Sequence, residues 1–324
     1  MKGVITLAGY GTRFLPASKA VPKEMFPIAG IPLIQYHVES LVAAGITEII
    51  VVVRGGGDII QSHFAPSPEL ERHLEKAGKT RLLEEVQRLS RMADVICVRQ
   101  PETLPYGNAA PALAARPWLT PGEPFYYMFG DDIISSDVPV PKQMLDAFRK
   151  FQPAAVLATQ TVPDEEKRLY GCIELKPGSD NVMARIVEKP GPDVAPLLSN
   201  WVQVGHFIFT PELFDVLHGA DEADEADEAD EYIDEADEYI DEADEYIGEA
   251  DEYIGSELGH GGELWMADAV GRLAARSTVM VHPIQGLWMA AGDPLRQLKA
   301  SIEMALRRDD MRDELVAYLR SLEL

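Results

Sequence analysis

The chain has 324 residues, 46% of them apolar, enough for one large domain or two modest ones with a substantial core. Its formal net charge is −25, but 19 of the acidic side chains fall in residues 221–254, which hold no Lys or Arg; outside that stretch 35 acidic side chains face 29 basic ones. That near-balance, with no basic stripe, argues against nucleic-acid binding, and no run reaches the roughly 18 apolar residues of a membrane span.

The N-terminal run Met1 to Leu7 is apolar but short, and Gly9 to Arg13 interrupts it. It predicts a first strand over 4–7, not a signal peptide. A helix follows over 32–44, with Leu33, Tyr36, Leu41 and Val42 on one face and Gly45 at its end. The β-branched run over 48–53 predicts a strand buried on both faces. A polar helix over 69–92, a strand over 95–98 and a helix over 109–115 come next. The strand over 124–129 ends at Gly130-Asp131-Asp132. A helix over 141–150 and a strand over 154–160 complete this alternation, which predicts an α/β, Rossmann-like, mostly parallel sheet flanked by helices. Ligands in such sheets sit at the carboxyl ends of the strands. From 171 to 209 the pattern turns strand-rich (172–175, 182–187 and 202–209), predicting a small, partly antiparallel extension. Beyond the acidic stretch come a helix over 264–275, a strand over 278–282, and helices over 294–307 and 311–322, a C-terminal helical segment.

The acidic stretch is a tandem repeat. Asp-Glu-Ala occurs three times, and then Tyr232, Tyr239, Tyr246 and Tyr253 recur every seven residues, each followed by Ile. On a helix this would make a narrow apolar stripe on an acidic rod, suited to an interaction element. Dense like charge opposes compaction, however, and the favoured expectation is an expanded acidic linker. The organisation expected is a catalytic core over 1–220, an insert over 221–262, and the rest of the same domain over 263–324.

Cys97 and Cys172 cannot form a disulfide framework, so reduced thiols in a cytoplasmic protein are expected. None of the seven histidines pairs with another His or Cys at zinc-ligand spacing.

The strongest motif directly follows the first strand: Leu7-Ala8-Gly9-Tyr10-Gly11-Thr12-Arg13-Phe14-Leu15-Pro16, with Lys19 and Lys23 beyond it. Glycines let the backbone approach phosphate oxygens, and turned amides donate to them. Phe14 stands where a dinucleotide-binding loop needs its third glycine, and the Gly-Lys-Ser/Thr of a P-loop is absent. Arg13 and Lys23 instead place two cations beside the loop, suited to a triphosphate that loses pyrophosphate.

The run from Gly9 to Met25 resembles the signature of the sugar-1-phosphate nucleotidylyltransferases, nearest to the bacterial UTP–glucose-1-phosphate uridylyltransferases. The similarity continues through Arg99-Gln100, Tyr106-Gly107-Asn108-Ala109, Gly130-Asp131-Asp132, Tyr170-Gly171, Val187-Glu188-Lys189-Pro190, Gly262-Glu263-Leu264-Trp265 and Gly292-Asp293-Pro294. It spans nearly the whole chain except the acidic insert. The resemblance implies transfer of a uridylyl group from UTP to α-D-glucose 1-phosphate, with Mg²⁺ as cofactor. Ala8, Gly9 and Gly11 would contact the nucleotide, while Gln100 and Gly107 would read the base. Asp131 would hold Mg²⁺. Glu188 would bind sugar hydroxyls, helped by backbone near Gly171 and Val204, and Lys189 would hold the sugar phosphate. Arg13 and Lys23 would steady the triphosphate and leaving pyrophosphate. Small-molecule substrates and a homo-oligomer are the partners implied.

One departure stands out. Relatives often carry a second metal-binding Asp before the late glycine, where this chain has Trp288-Met289-Ala290-Ala291-Gly292-Asp293. Either Asp293 takes that role, or water and substrate phosphates complete the metal shell. Alternatives therefore stay open: a silent sugar-nucleotide sensor, a different NTP and sugar phosphate, a glycosyltransferase using Asp131-Asp132 as a metal diad, or a scaffold built on the repeat.

Overall fold

In the computed structural model, residues 1–217 and 263–322 are described. The expectations for the acidic insert, 221–262, lie outside them.

The strands run in chain order as β1 (Gly3–Leu7), the small hairpin β2 (Pro27–Ile28) and β3 (Ile31–Pro32), β4 (Glu48–Val53), β5 (Asp94–Arg99), β6 (Phe125–Phe129) and β7 (Asp132–Ser135). They continue as β8 (Ala155–Thr161), β9 (Gly171–Leu175), β10 (Met183–Glu188), β11 (Trp201–Phe209), β12 (Val279–Pro283) and β13 (Leu287–Ala290). The helices are α1 (Leu33–Ala43), α2 (Gly57–Phe64), α3 (Pro68–Lys76), α4 (Thr80–Leu89), α5 (Ala110–Ala115), α6 (Val140–Phe151), α7 (Glu212–Leu217), α8 (Met266–Arg276), α9 (Pro294–Ala305) and α10 (Arg312–Ser321).

One nine-stranded sheet organises the fold, in the order β10-β9-β11-β6-β1-β4-β5, with β8 joining β11 to β12. β1, β4, β5 and β6 are mutually parallel, as are β8 and β12. β11 runs antiparallel to both β6 and β8, and β9 and β10 form the antiparallel extension. The expected mixed, mostly parallel α/β sheet is therefore the observed one.

The period-2 geometry of a strand explains the core. Along β4, Ile50 and Val52 face one cluster, with Tyr127, Phe207 and residues of α5, α7 and α8. Ile49, Val51 and Val53 face the other, with Ile5, Met128 and residues of α1, α2 and α6. Both faces are covered, so the strand reads as a continuous apolar run. Truncating Ile49 or Ile50 to Ala would cost about 2–5 kcal/mol, as usual for buried Ile.

Two expectations need correction. The single helix over 69–92 is two helices, α3 and α4, because the chain turns at 77–79, where Gly78 adopts a φ of 67°. The map also lacked α2, β7 and β13. Gly57 begins α2 directly after two further glycines, and a Cβ there would meet Cys97 and Val53 at 3.1 Å. β7 and β13 are four-residue strands that pair only with each other, so neither carries a local pattern. Among the described residues, no helix is long and apolar enough to cross a membrane.

The carboxyl ends of β1, β4, β5 and β6 lie side by side. They deliver Ala8, Arg54, Gln100 and Gly130-Asp131 to one edge, where the candidate site forms.

Candidate active site

After β1 the chain enters three successive 3₁₀ turns, Thr12–Phe14, Ala17–Lys19 and Lys23–Met25. The buried Phe14 ring anchors the first, and the Ser18 hydroxyl donates to the Gly11 carbonyl at 2.8 Å, closing the loop on itself. The closed loop holds Arg13 and Lys23 on one wall of a cavity of about 360 Å³, with Ala8, Gly9 and Gly11 beside them.

At the floor of this lobe Gln100 is 1% exposed, and neither its amide nitrogen nor its amide oxygen has a partner. A buried unpaired amide costs stability of order 1–3 kcal/mol per group. A planar ligand edge carrying one donor and one acceptor would satisfy both atoms. Gly107 lines the same lobe with a φ of 137°, and a Cβ there would overlap the Leu264 backbone. That close approach is a two-way clasp: Leu264 N donates to Tyr106 O at 2.7 Å, and Ala109 N donates to Leu264 O at 3.1 Å. Asn108 Oδ1 also accepts from Met266 N at 2.6 Å, fixing the start of α8 against this turn.

A second cavity of about 430 Å³ adjoins the first. Arg13, Asp131, Lys189, Trp265 and Gly292 line both, so a common wall of two cations and one carboxylate joins the lobes. Glu188 lies at the floor of the second lobe. Burial raises its carboxyl above the ordinary range, and the nearby Lys189 ammonium partly opposes that rise. Gln203 Nε2 donates to Glu188 Oε2 at 3.2 Å, while the buried Gln203 Oε1 has no partner. Gly171 gives this pair its space, since a Cβ there would sit 2.8 Å from Glu188 Oε2. Val204 is placed differently from Gly171: its side chain is in the core under the cavity, and its neighbours Gln203 and Gly205 line the wall.

Lys189 has a φ of 41°, unusual for a non-glycine residue. Its amide donates to Tyr170 O at 3.1 Å. Its ammonium lies 4.3 Å from the Trp265 ring centre and 3.8 Å from Glu188 Oε1. Such strain persists where the surroundings over-determine it, often at functional positions.

Asp131 follows β6, and its side chain is 45% exposed. Lys23 Nζ is 3.9 Å from Asp131 Oδ2 and 3.6 Å from Glu24 Oε1. Burial pushes the Glu24 carboxyl up to about 7, against the pull of Lys23. Burial, then the charge of Asp131, pushes the Asp132 carboxyl up to about 8.

The late glycine segment closes this side. Ala291 N donates to Asp131 O at 2.8 Å, and Ala290 sits opposite Asp132 in the β7–β13 pairing. Asp293 caps α9: Oδ1 accepts from Arg296 N at 3.0 Å, and Oδ2 lies 3.3 Å from Arg296 Nε. Asp293 is thus engaged by its own helix while also lining the second cavity. Among the described residues no three His, Cys, Asp or Glu side chains cluster as a metal cage. A half-exposed hard oxygen donor such as Asp131, facing the shared wall, nonetheless fits an ion that leans on one carboxylate and on substrate phosphates, as Mg²⁺ does.

Sequence reasoning missed Arg54 and Gln203 and gave Trp265 no role. A polar residue between Val202 and Val204, in a strand whose one other polar side chain is His206, was the available signal for Gln203. Arg54, directly after the buried run of β4, occupies the strand end where ligands gather.

A nucleotidyl transferase family model matches residues 2–277. The UTP–glucose-1-phosphate uridylyltransferase of Bacillus subtilis strain 168 is 35% identical over 323 residues, covering 99% of this chain and 96% of that one. A Staphylococcus epidermidis protein of the same name is 34% identical, covering 100% and 98%. Among solved structures, a UDP-glucose pyrophosphorylase from Acinetobacter baumannii superposes with a TM-score of 0.77 at 27% identity, over 99% of each chain. A UTP-bound structure from Acinetobacter baumannii gives 0.78 at 27% identity and the same coverage.

Proposed function

The chain belongs to the nucleotidyl transferase family and groups with its UTP–glucose-1-phosphate uridylyltransferases, and on that premise we propose that it converts UTP and α-D-glucose 1-phosphate to UDP-glucose and pyrophosphate. The observation that carries this reading is the common wall: Arg13, Asp131 and Lys189 border both cavities, where two anionic substrates would have to meet.

The nucleotide occupies the first lobe, with its base edge on Gln100 and the Gly107 backbone and its phosphates along the loop from Ala8 to Arg13. The sugar occupies the second lobe, its hydroxyls on Glu188 and Gln203. Lys189 leaves the Trp265 face to meet the sugar phosphate. A phosphate oxygen of the sugar phosphate attacks the α-phosphorus of UTP, forming the new P–O bond. The bond to the bridging oxygen of the β-phosphate breaks, and pyrophosphate departs with that electron pair. The nucleophile is already anionic at neutral pH, so no strong general base is required. The obstacle is bringing two anions into line, and fixed cations lower it. Arg13 and Lys23 neutralise the departing pyrophosphate, and Lys189 neutralises the attacking group. Asp131 would hold Mg²⁺, which when bound supplies charge neutralisation at the phosphate oxygens. The two cavities, and a family match that runs from residue 2 to residue 277, also support one catalytic domain formed by 1–220 and 263–324.

A pyrophosphate-release screen tests this reading. UTP, dTTP, ATP, CTP and GTP are each offered with glucose 1-phosphate and its epimers, in the presence of Mg²⁺. UTP with glucose 1-phosphate is expected to give the highest kcat/KM. Preference for another pair would reassign the substrates, and no release with any pair, beside measurable UDP-glucose binding, would make the protein a sensor.

A further inference from the structure

We propose that Tyr10, Tyr106 and Arg54 form a clamp on the base of the bound nucleoside triphosphate. The clamp rests on the nucleotide reading of the first lobe and adds to it the residues that set how tightly the base is held.

Three separate segments bring these side chains together. Tyr10 stands in the phosphate loop between Gly9 and Gly11, Arg54 follows β4, and Tyr106 precedes Gly107. All three line the lobe whose floor is the unpartnered Gln100 amide. The two rings are nearly parallel, 20° apart, with centroids separated by 6.2 Å. The Arg54 guanidinium lies 4.6 Å from the Tyr10 centroid and 5.9 Å from that of Tyr106, within cation–π range. Arg54 Nε donates to the Ala8 carbonyl at 3.0 Å, which ties the guanidinium to the start of the phosphate loop. No carboxylate pairs with Arg54 among the described residues.

Core packing does not account for this arrangement. Tyr10 is 63% exposed and Tyr106 48% exposed, so two large rings stand open to solvent at a cavity rim. Parallel ring faces flanking a site with a donor–acceptor floor suit a planar heterocycle. The floor reads the edge and the rings cover the face. Arg54 acts through Tyr10: it fixes that ring against the loop and is a positioning residue. The phosphates are served elsewhere, by Arg13 and Lys23 on the wall near Asp131.

Calorimetric titration of the full chain with UTP and with inorganic tripolyphosphate tests the clamp. Tyr10→Ala and Tyr106→Ala are each expected to weaken UTP binding about tenfold, the scale of losing one base–aromatic stack, while tripolyphosphate affinity stays within about twofold. Tyr106→Phe should retain wild-type UTP affinity, because the ring and not its hydroxyl is used. Arg54→Gln should weaken UTP without weakening tripolyphosphate. Thermal unfolding of each variant checks that the fold is intact, and Arg54→Gln carries the comparison if an alanine variant fails to fold. Unchanged UTP affinity in both alanine variants would overturn the clamp alone. Parallel loss of UTP and tripolyphosphate in Arg54→Gln would overturn it in favour of a phosphate contact. A wild-type chain that binds no nucleoside triphosphate would overturn the nucleotide reading and the clamp with it.

Discussion

The Lys23 ammonium lies 3.9 Å from the Asp131 carboxylate, although the two arrive from different strands, β1 and β6. The cation proposed to serve the leaving group thus rests beside a half-exposed carboxylate of the shared wall. On the proposed reading the pair satisfies itself without substrate, and with substrate each member would have its own anion or cation to serve. Asp131→Ala is expected to lower kcat about 100-fold or more, the scale of losing a main electrostatic contact at a reacting phosphate. Its thermal unfolding should match wild type, because the side chain is 45% exposed and its removal also relieves Asp132. Steady-state kinetics beside calorimetric unfolding checks both halves.

On the proposed reading, Gln100 trades stability for recognition. Its two unpartnered amide atoms sit in a buried position, and Gln100→Leu should stabilise the empty protein by about 1 kcal/mol by removing them. The same change should weaken UTP about tenfold or more, since a base edge would then face an apolar side chain. Urea unfolding without ligand and titration with UTP measure the two effects on one variant. Loss of both stability and affinity would mean the amide serves packing.

Gly171 works by being small. Adding a methyl would place carbon 2.8 Å from Glu188 Oε2 and 3.0 Å from Gln203 Nε2, splitting their hydrogen bond. Gly171→Ala is expected to raise KM for the sugar phosphate about tenfold and to leave KM for UTP within about twofold. Equal changes in both constants would disconnect Gly171 from the second lobe.

Two buried imidazoles are expected to make the fold sensitive to acid. Burial lowers His37 to about 4, and burial with the nearby His37 lowers His206 to about 3. Both folded values lie below the ordinary histidine value of 6.5, so the stability tied to neutral imidazole is fully present above pH 6.5. It is lost as pH falls through the folded values. For His37 alone the scale is on the order of 3 kcal/mol, from about 1.4 kcal/mol per unit. His206 Nδ1 and the Tyr126 hydroxyl share a hydrogen bond of 2.7 Å, and Asn can place a polar atom near that point. His206→Asn should therefore flatten the fall in stability between pH 6.5 and 4. An identical pH profile in variant and wild type would show that this imidazole does not drive the acid sensitivity.

Much of the fold was legible because its signals are local. The strand over 48–53 agrees with β4 at both ends, since both of its faces are buried and every interior position is β-branched. The phosphate loop was legible for a related reason: its glycines and cations occur in one continuous run. Elements held by distant partners were not. β7 and β13 exist only through each other, and α3 and α4 share one polar periodicity broken by a single glycine. At the site, Arg13 and Lys23 were readable as cations beside the phosphate loop and Asp131 as a carboxylate after a strand, while Glu188 and Lys189 were given by the family resemblance. The Gln203–Glu188 hydrogen bond and the Arg54–Tyr10–Tyr106 stack join residues far apart in the chain, so no spacing announces them. The helix cap made by Asp293 was likewise not legible as such, because the sequence offers it only as a carboxylate beside a late glycine.

The central claim is direct transfer between two substrates that meet at one wall. Exchange of radiolabelled pyrophosphate into UTP, measured with and without glucose 1-phosphate, tests it most directly. Direct transfer predicts rapid exchange when the sugar phosphate is present and none when it is absent. Exchange with UTP alone would reveal a uridylylated enzyme and contradict the account, as would no exchange with both substrates present.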